Sequence, residues 1–279
     1  MPVYQTPEPI SAVLKLVVGD TRIVASDRTD TTVDIQPRNA ANNLDVRAVE
    51  ETTVEFRNGT LTVKAPKPNR LWGRTGAIEV TIELPSGSAV SCQSATGDVT
   101  TEGRLGACRF KTASGDFHLG HLGGLDLDTP NGDVAVALVD GNASVSAGGT
   151  MRIDAITGTA HIKNISGDTW VGECSGEASF NTASGDIVVA RAEQNVTART
   201  AAGDIRLLDV VRGTMSMQAA SGELEVGIRQ GSAAWLDVNT LVGSVHSELA
   251  VADHSEGAPE TVKVKARTFN GNILVHRAG

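Results

Sequence analysis

The chain has 279 residues, 40% of them apolar and only 3% aromatic, which predicts a thin core of Val, Ile, Leu, Ala and Thr such as lies between stacked sheets. A formal charge of −9 argues against a nucleic-acid backbone or an anionic lipid surface as the main partner, because both reward clustered Lys and Arg. Cys92, Cys108 and Cys174 follow no metal-ligand spacing and cannot all pair, which favours small buried hydrophobes in a reducing compartment over a disulfide framework.

The opening "MPVYQTPEPISAVLKLVVGD" lacks a basic segment followed by an unbroken apolar run, and Lys15 interrupts "SAVLKLVV". A soluble, cytoplasmic protein with no direct membrane insertion is expected, with surface association by a route lacking a cleaved signal left open. Downstream, "TTVDIQ", "TTVEF", "TLTVKA" and "AIEVTIEL" alternate as strands do, and "FRNGTL" carries the Asn-Gly signal of a tight hairpin. Residues 1–85 are therefore expected to form a β region that caps whatever follows.

Residues 86–279 carry a repeat. Glycines followed by Asp, Thr or Glu stand at Gly97, Gly115, Gly132, Gly149, Gly167, Gly185, Gly203 and Gly222, about eighteen residues apart. A second series (Gly106, Gly124, Gly141, Gly158, Gly176, Gln194, Gly213 and Gly231) falls midway. One coil is thus predicted to hold two strands, each entered through a turn that glycine permits.

Alternation assigns the faces. Before each Gly-Asp turn the inward residues include Cys108 and Phe110, Leu125 and Leu127, Ala143 and Val145, Ala160 and Ile162, Ala178 and Phe180, and Leu236 and Val238. After the turn they include Phe117 and Leu119, Val134 and Val136, Ile187 and Val189, and Ile205 and Leu207. Stacking equivalent strands about 4.8 Å apart gives an all-β, two-sheet parallel β-solenoid with an N-terminal β cap. A column at Ser94, Thr112, Thr129, Asn164, Thr182, Thr200 and Thr240 is expected just inside the corner, bonding to turn backbone. Toward the end, "ELAVADHSEGAPE" reads as a polar excursion from the last coil, which "VKVKARTFNGNILVH" completes. No cap follows "NGNILVHRAG", so self-association through this C-terminal edge is a candidate property.

"VTIELPSGSAVSCQSATGDV", followed by serial "SGD" turns, resembles the bacterial β-strand-repeat family named "putative adhesin", a domain of unknown function. The likeness spans about residues 75–279. It implies surface attachment and supplies no catalytic motif.

Several residues along the repeat are candidates for chemistry. Asp98, Asp116, Asp133, Asp168, Asp186, Asp204 and Glu223 are expected to form a ladder along one edge, with turn capping preferred over cation binding, since the pattern departs from G-G-x-G-x-D. Asp126 and Asp128 form a close outward acid pair that Arg109 and Lys111 should neutralise. His118 and His121 are read as straddling a turn without a third metal ligand. Neither a metal nor a cofactor is expected.

Arg152, Trp170, Val188 and Arg206 occupy successive outward positions after the Gly-Asp turn, with Leu208 nearby, and form a candidate partner-binding patch. The expected function is a non-enzymatic scaffold or adhesin-like protein presenting an elongated surface to a protein or cell-envelope component. A carbohydrate-active β-helix enzyme and a self-assembling structural protein are the alternatives.

Overall fold

The computed structural model describes residues 2–66, 75–249 and 260–279. The chain forms two compact units, Met1–Asp140 and Gly141–Gly279. Each is built from two-strand coils whose equivalent strands pair in parallel, the β-solenoid arrangement that the glycine period predicts.

The first unit contains β1 (Val3–Gln5), β2 (Ser11–Lys15), β3 (Gly19–Ser26), β4 (Asp30–Pro37), α1 (Asn43–Glu50), β5 (Thr53–Arg57) and β6 (Thr60–Lys64). Then come β7 (Ile78–Pro85), β8 (Ala89–Gln93), β9 (Val99–Glu102), β10 (Arg104–Lys111), β11 (Phe117–Thr129) and β12 (Val134–Val139). Parallel pairing runs β6–β2–β8–β10–β11 on one side and β7–β3–β9–β11–β12 on the other. Every second side chain is buried, so register places like on like: Val63, Leu14, Cys92, Phe110 and Leu127 form one inward file. Phe117 in the facing sheet meets Phe110 with ring centroids 5.7 Å apart, spanning the core.

The cap is antiparallel. β5 pairs with β6 through the predicted hairpin, where Asn58 and Gly59 have φ of 50° and 72°, the paired positive values of a two-residue hairpin turn. β4 lies antiparallel on β7, and β1 on β4. The helix α1 was not legible in the sequence; the Asn42 side chain caps it, accepting the Leu44 N–H. Buried Asp45 then accepts N–H groups from Asn39 and Ala77, tying the helix to its flanking segments.

Coil packing begins earlier than the glycine period reveals. β2 and β3 form a complete coil around Gly19-Asp20, and they sit between β6/β7 and β8/β9. The next turn in that stack, Gly97-Asp98, comes 78 residues later in the chain, so no eighteen-residue spacing marks it.

The second unit contains β13 (Ala143–Ala147), β14 (Met151–Ile156), β15 (Ala160–Asn164), β16 (Thr169–Cys174), β17 (Ala178–Ser184), β18 (Ile187–Ala192) and β19 (Val196–Ala202). It continues with β20 (Ile205–Val210), β21 (Gly213–Ser221), β22 (Leu224–Ile228), β23 (Ala233–Val242), β24 (Val245–Ser247), β25 (Thr261–Asn270) and β26 (Ile273–Arg277). Val145, Ile162, Phe180, Ala198 and Met217 form one buried file. Ile153, Val171, Val189, Leu207 and Val226 form the facing one. Each fully buried Val, Leu or Ile contributes about 1.5–3 kcal/mol, and only stacking buries it.

The end of this unit corrects one expectation. β25 lies between β21 and β23, and β26 between β22 and β24. The segment "NGNILVH" is therefore interior, paired on both sides, and among the described residues the open edge belongs to β23 and β24. Register explains the exchange: Val264 and Ala266 are wholly buried between neighbouring files, whereas Leu236 and Val238, predicted to be inward core, are only half-buried at the edge. Of the predicted polar excursion, residues 250–259 lie outside the described residues.

Candidate functional site

Two surface features run along the second unit. The first is the outer face of the sheet containing β14, β16, β18 and β20. Strict alternation sends Arg152, Trp170, Val188 and Arg206 outward while Ile153, Val171, Val189 and Leu207 go in. The four predicted patch residues are consecutive cross-strand neighbours, as proposed from the sequence. The Arg152 guanidinium lies 3.9 Å from the centre of the Trp170 ring and also pairs with Asp154 at 3.1 Å. The ring extends over Gly172, where a Cβ would stand 3.0 Å from Trp170 Cη2. Trp170 and Val188 are half-buried.

Register puts Gly172, Ala190 and the exposed Leu208 in the neighbouring outward file. Sequence reasoning placed only Leu208 near the patch; the missed signal was the spacing of two residues in "WVG", "VVA" and "RLL". The result is a low-relief apolar surface with a guanidinium at each end.

The second feature is the turn ladder. Asp186 N–H donates to Asp168 Oδ1 at 3.0 Å, Asp204 N–H to Asp186 Oδ1 at 2.8 Å, and Glu223 N–H to Asp204 Oδ1 at 2.8 Å. In the first unit Asp98 N–H donates to Asp20 at 3.0 Å, Asp116 N–H to Asp98 at 2.9 Å, and Asp133 N–H to Asp116 at 2.9 Å. The side chains of Asp20, Asp98, Asp116, Asp168, Asp186 and Asp204 thus each accept the amide of the next coil in the stack, which is how closely stacked carboxylates are compensated. Asp20 is a rung the sequence reading did not include. A second ladder, also missed, uses Asn142 and Asn195, which accept the Thr159 and Thr214 amides.

Arg206 joins the two features: it donates to Asp204 at 2.6 Å and approaches Asp186 at 4.0 Å and Glu225 at 3.7 Å. The corner column bonds to turn backbone at most of its positions, for example with Thr129 donating to the Asn131 carbonyl at 3.1 Å and Asn164 to those of Gly149 and Gly167, both at 3.0 Å; Thr200 departs from the expectation, its buried Oγ1 having no hydrogen-bond partner among the described residues.

The remaining candidates are engaged in structure. Arg109 bonds Asp126 at 2.8 Å and Lys111 lies 3.4 Å from Asp128, so the outward acid pair is neutralised strand to strand. His118 and His121 do not straddle a turn, because β10 and β12 pair with β11 through His121 and the strand runs on. His121 Nε2 lies 3.0 Å from Asp140, which Arg104 also holds at 3.1 Å. Among the described residues no group of three or more His, Cys, Asp or Glu converges as a cation site. The three cysteines are free and buried; burial pushes the Cys92 and Cys108 thiols up to about 12 and Cys174 to about 11. Among the described residues no helix is long and apolar enough to cross a membrane.

The model of one protein family, Toastrack DUF4097, matches residues 14–276, nearly the whole chain. The chain belongs to this family. Solved structures to which the chain is similar include one named "putative adhesin" from Bacteroides fragilis, at 12% identity and a TM-score of 0.37. Another is named "Putative lipid binding protein" and comes from Parabacteroides distasonis, at 11% identity and a TM-score of 0.44. Each alignment covers 98% of this Toastrack chain and 95% of the other. No curated protein matches the chain. The TM-scores carry no functional argument, and membership rests on the family match.

Proposed function

We propose that this Toastrack protein is a non-enzymatic, adhesin-like scaffold whose contact surface is the outer face of β14, β16, β18 and β20. The observation that carries the reading is the unbroken file Arg152, Trp170, Val188 and Arg206, an aromatic and an aliphatic side chain held half-exposed between two guanidinium groups. Tryptophan and arginine contribute more than most residues when a surface is covered, and a rigid sheet loses little freedom on binding. The commitment of Asp126 and Asp128 to ion pairs and the burial of every thiol support a role without covalent chemistry. The proposed partner is a protein or a cell-envelope component.

The test compares immobilised wild type with Trp170→Ala against solubilised envelope and soluble fractions. Each captured protein is then purified and titrated against both forms. The expected result is a partner whose binding is lost in Trp170→Ala while the melting temperature stays unchanged. Equal binding by the two forms would remove this face from consideration.

A further inference from the structure

The second unit ends in a strand that carries none of the usual protections of a sheet edge. Among the described residues β23 pairs on one side only, with β25. It is ten residues long, has no proline, and bears a single charge, Asp237, in the run "AAWLDVNTLV". Edge strands in stable monomers are usually short, bulged, or interrupted by Lys or Pro, because their free amides and carbonyls recruit further strands. In the first unit the outermost strands follow that rule: β5 is five residues long with Glu55 and Arg57 on it, and β1 has three residues. β23 also displays its apolar side chains, with Trp235 51% exposed and Leu241 70%.

The order of residues along β23 selects the occupant. In an antiparallel pair of two β23 strands centred on Val238, Trp235 of each copy falls opposite Leu241 of the other, on the outward face shared with Lys263 and Phe269. The same register sets Asp237 opposite Asn239, so the one charged residue never meets its own copy, and Leu236 meets Thr240 on the inward face. Directly opposed apolar pairs stabilise a sheet and opposed like charges weaken it. The strand is thus complementary to itself in one register. A two-fold axis through Val238 also closes the assembly at two copies, since each β23 has a single free side.

We propose that β23 is a homodimerisation edge, pairing antiparallel with β23 of a second copy and centred on Val238. This surface is separate from the outer face of β14 to β20, and the two can fail independently.

Sedimentation equilibrium over a concentration series tests it on the full chain. Wild type is expected to pass from monomer to dimer mass and stop there. The double substitution Trp235→Lys and Leu241→Lys, both on exposed side chains, is expected to remain monomeric with the melting temperature of the wild-type monomer. Register is read separately by oxidative cross-linking: Val238→Cys should join to itself. Ala234→Cys should not join to itself but should join to Val242→Cys in a mixture. A monomer at every concentration, growth beyond two copies, dimers that survive the double substitution, or self-joining of Ala234→Cys would each overturn the proposal.

Discussion

The carboxylate of Asp186 accepts the backbone N–H of Asp204 one coil later, at 2.8 Å. The bond needs an acceptor oxygen and no negative charge. Asp186→Ala is expected to lower unfolding stability by about 0.5–1.5 kcal/mol, the usual net value of one such bond, while Asp186→Asn should retain most of it. Thermal melts of the three forms decide the matter; equal damage by Asn and Ala would mean that charge, through Arg206, dominates. Because Asp20, Asp98, Asp116, Asp168, Asp186 and Asp204 already have a backbone donor, added calcium is expected to leave the melting midpoint in place, and a rise of several degrees would show that cations bind along the ladder.

Gly203 has φ of 139°, and a Cβ there would stand 2.2 Å from the carbonyl oxygen of Gly185. Backbone occupies the space, so no side-chain movement relieves the overlap. Gly231 has φ of 88° but nothing within 4 Å of its would-be Cβ. Gly231→Ala is expected to cost about 1–2 kcal/mol for the left-handed conformation alone. Gly203→Ala should cost clearly more in urea unfolding, through the clash that comes on top. Equal costs would mean that conformation, and not the approach of stacked turns, fixes glycine in the repeat.

The cysteines make stability depend on alkaline pH. In the unfolded chain a thiol ionises near 8.5, whereas burial holds the Cys92 thiol up at about 12 in the fold. A raised value means that the protonated thiol's contribution is whole below the unfolded value and is lost as pH climbs from there toward 12. Unfolding midpoints measured from pH 8 to 11 should therefore fall less steeply for Cys92→Val than for wild type. A thiol reagent such as a disulfide dye is expected to react only after denaturant is added; rapid reaction of the native protein would contradict the burial.

Much of this molecule could be read from spacing. The recurrence of glycine at the corner and the alternation around Phe110, Phe180 and Leu207 determined which side chains face inward, because a one-residue slip would bury Lys111, Asn181 and Arg206 instead. The patch from Arg152 to Arg206 was legible for the same reason: coil period and strand period together determine lateral neighbours. What escaped was whatever the chain order hides. Asp20 occupies a ladder rung beside Asp98 although the intervening coil of sequence lies elsewhere, and β25 takes a position between strands made earlier. Periodicity reports that coils are equivalent and is silent on the sequence in which they are laid down. α1 also escaped, since its buried residues are Asp45, which is polar, and Ala48, and the two make no apolar stripe.

The placement of β25 and β26 has a bearing on how the second unit assembles. Strands β23 and β24 leave the chain's synthesis first, yet in the finished stack they rest on Thr261–Asn270 and Ile273–Arg277, which follow them in the chain. Deleting residues 260–279 would consequently not trim the stack by its outermost layer. It would pull out a layer from within and leave a finished coil with nothing to rest on, so the tail acts as a keystone for segments that precede it.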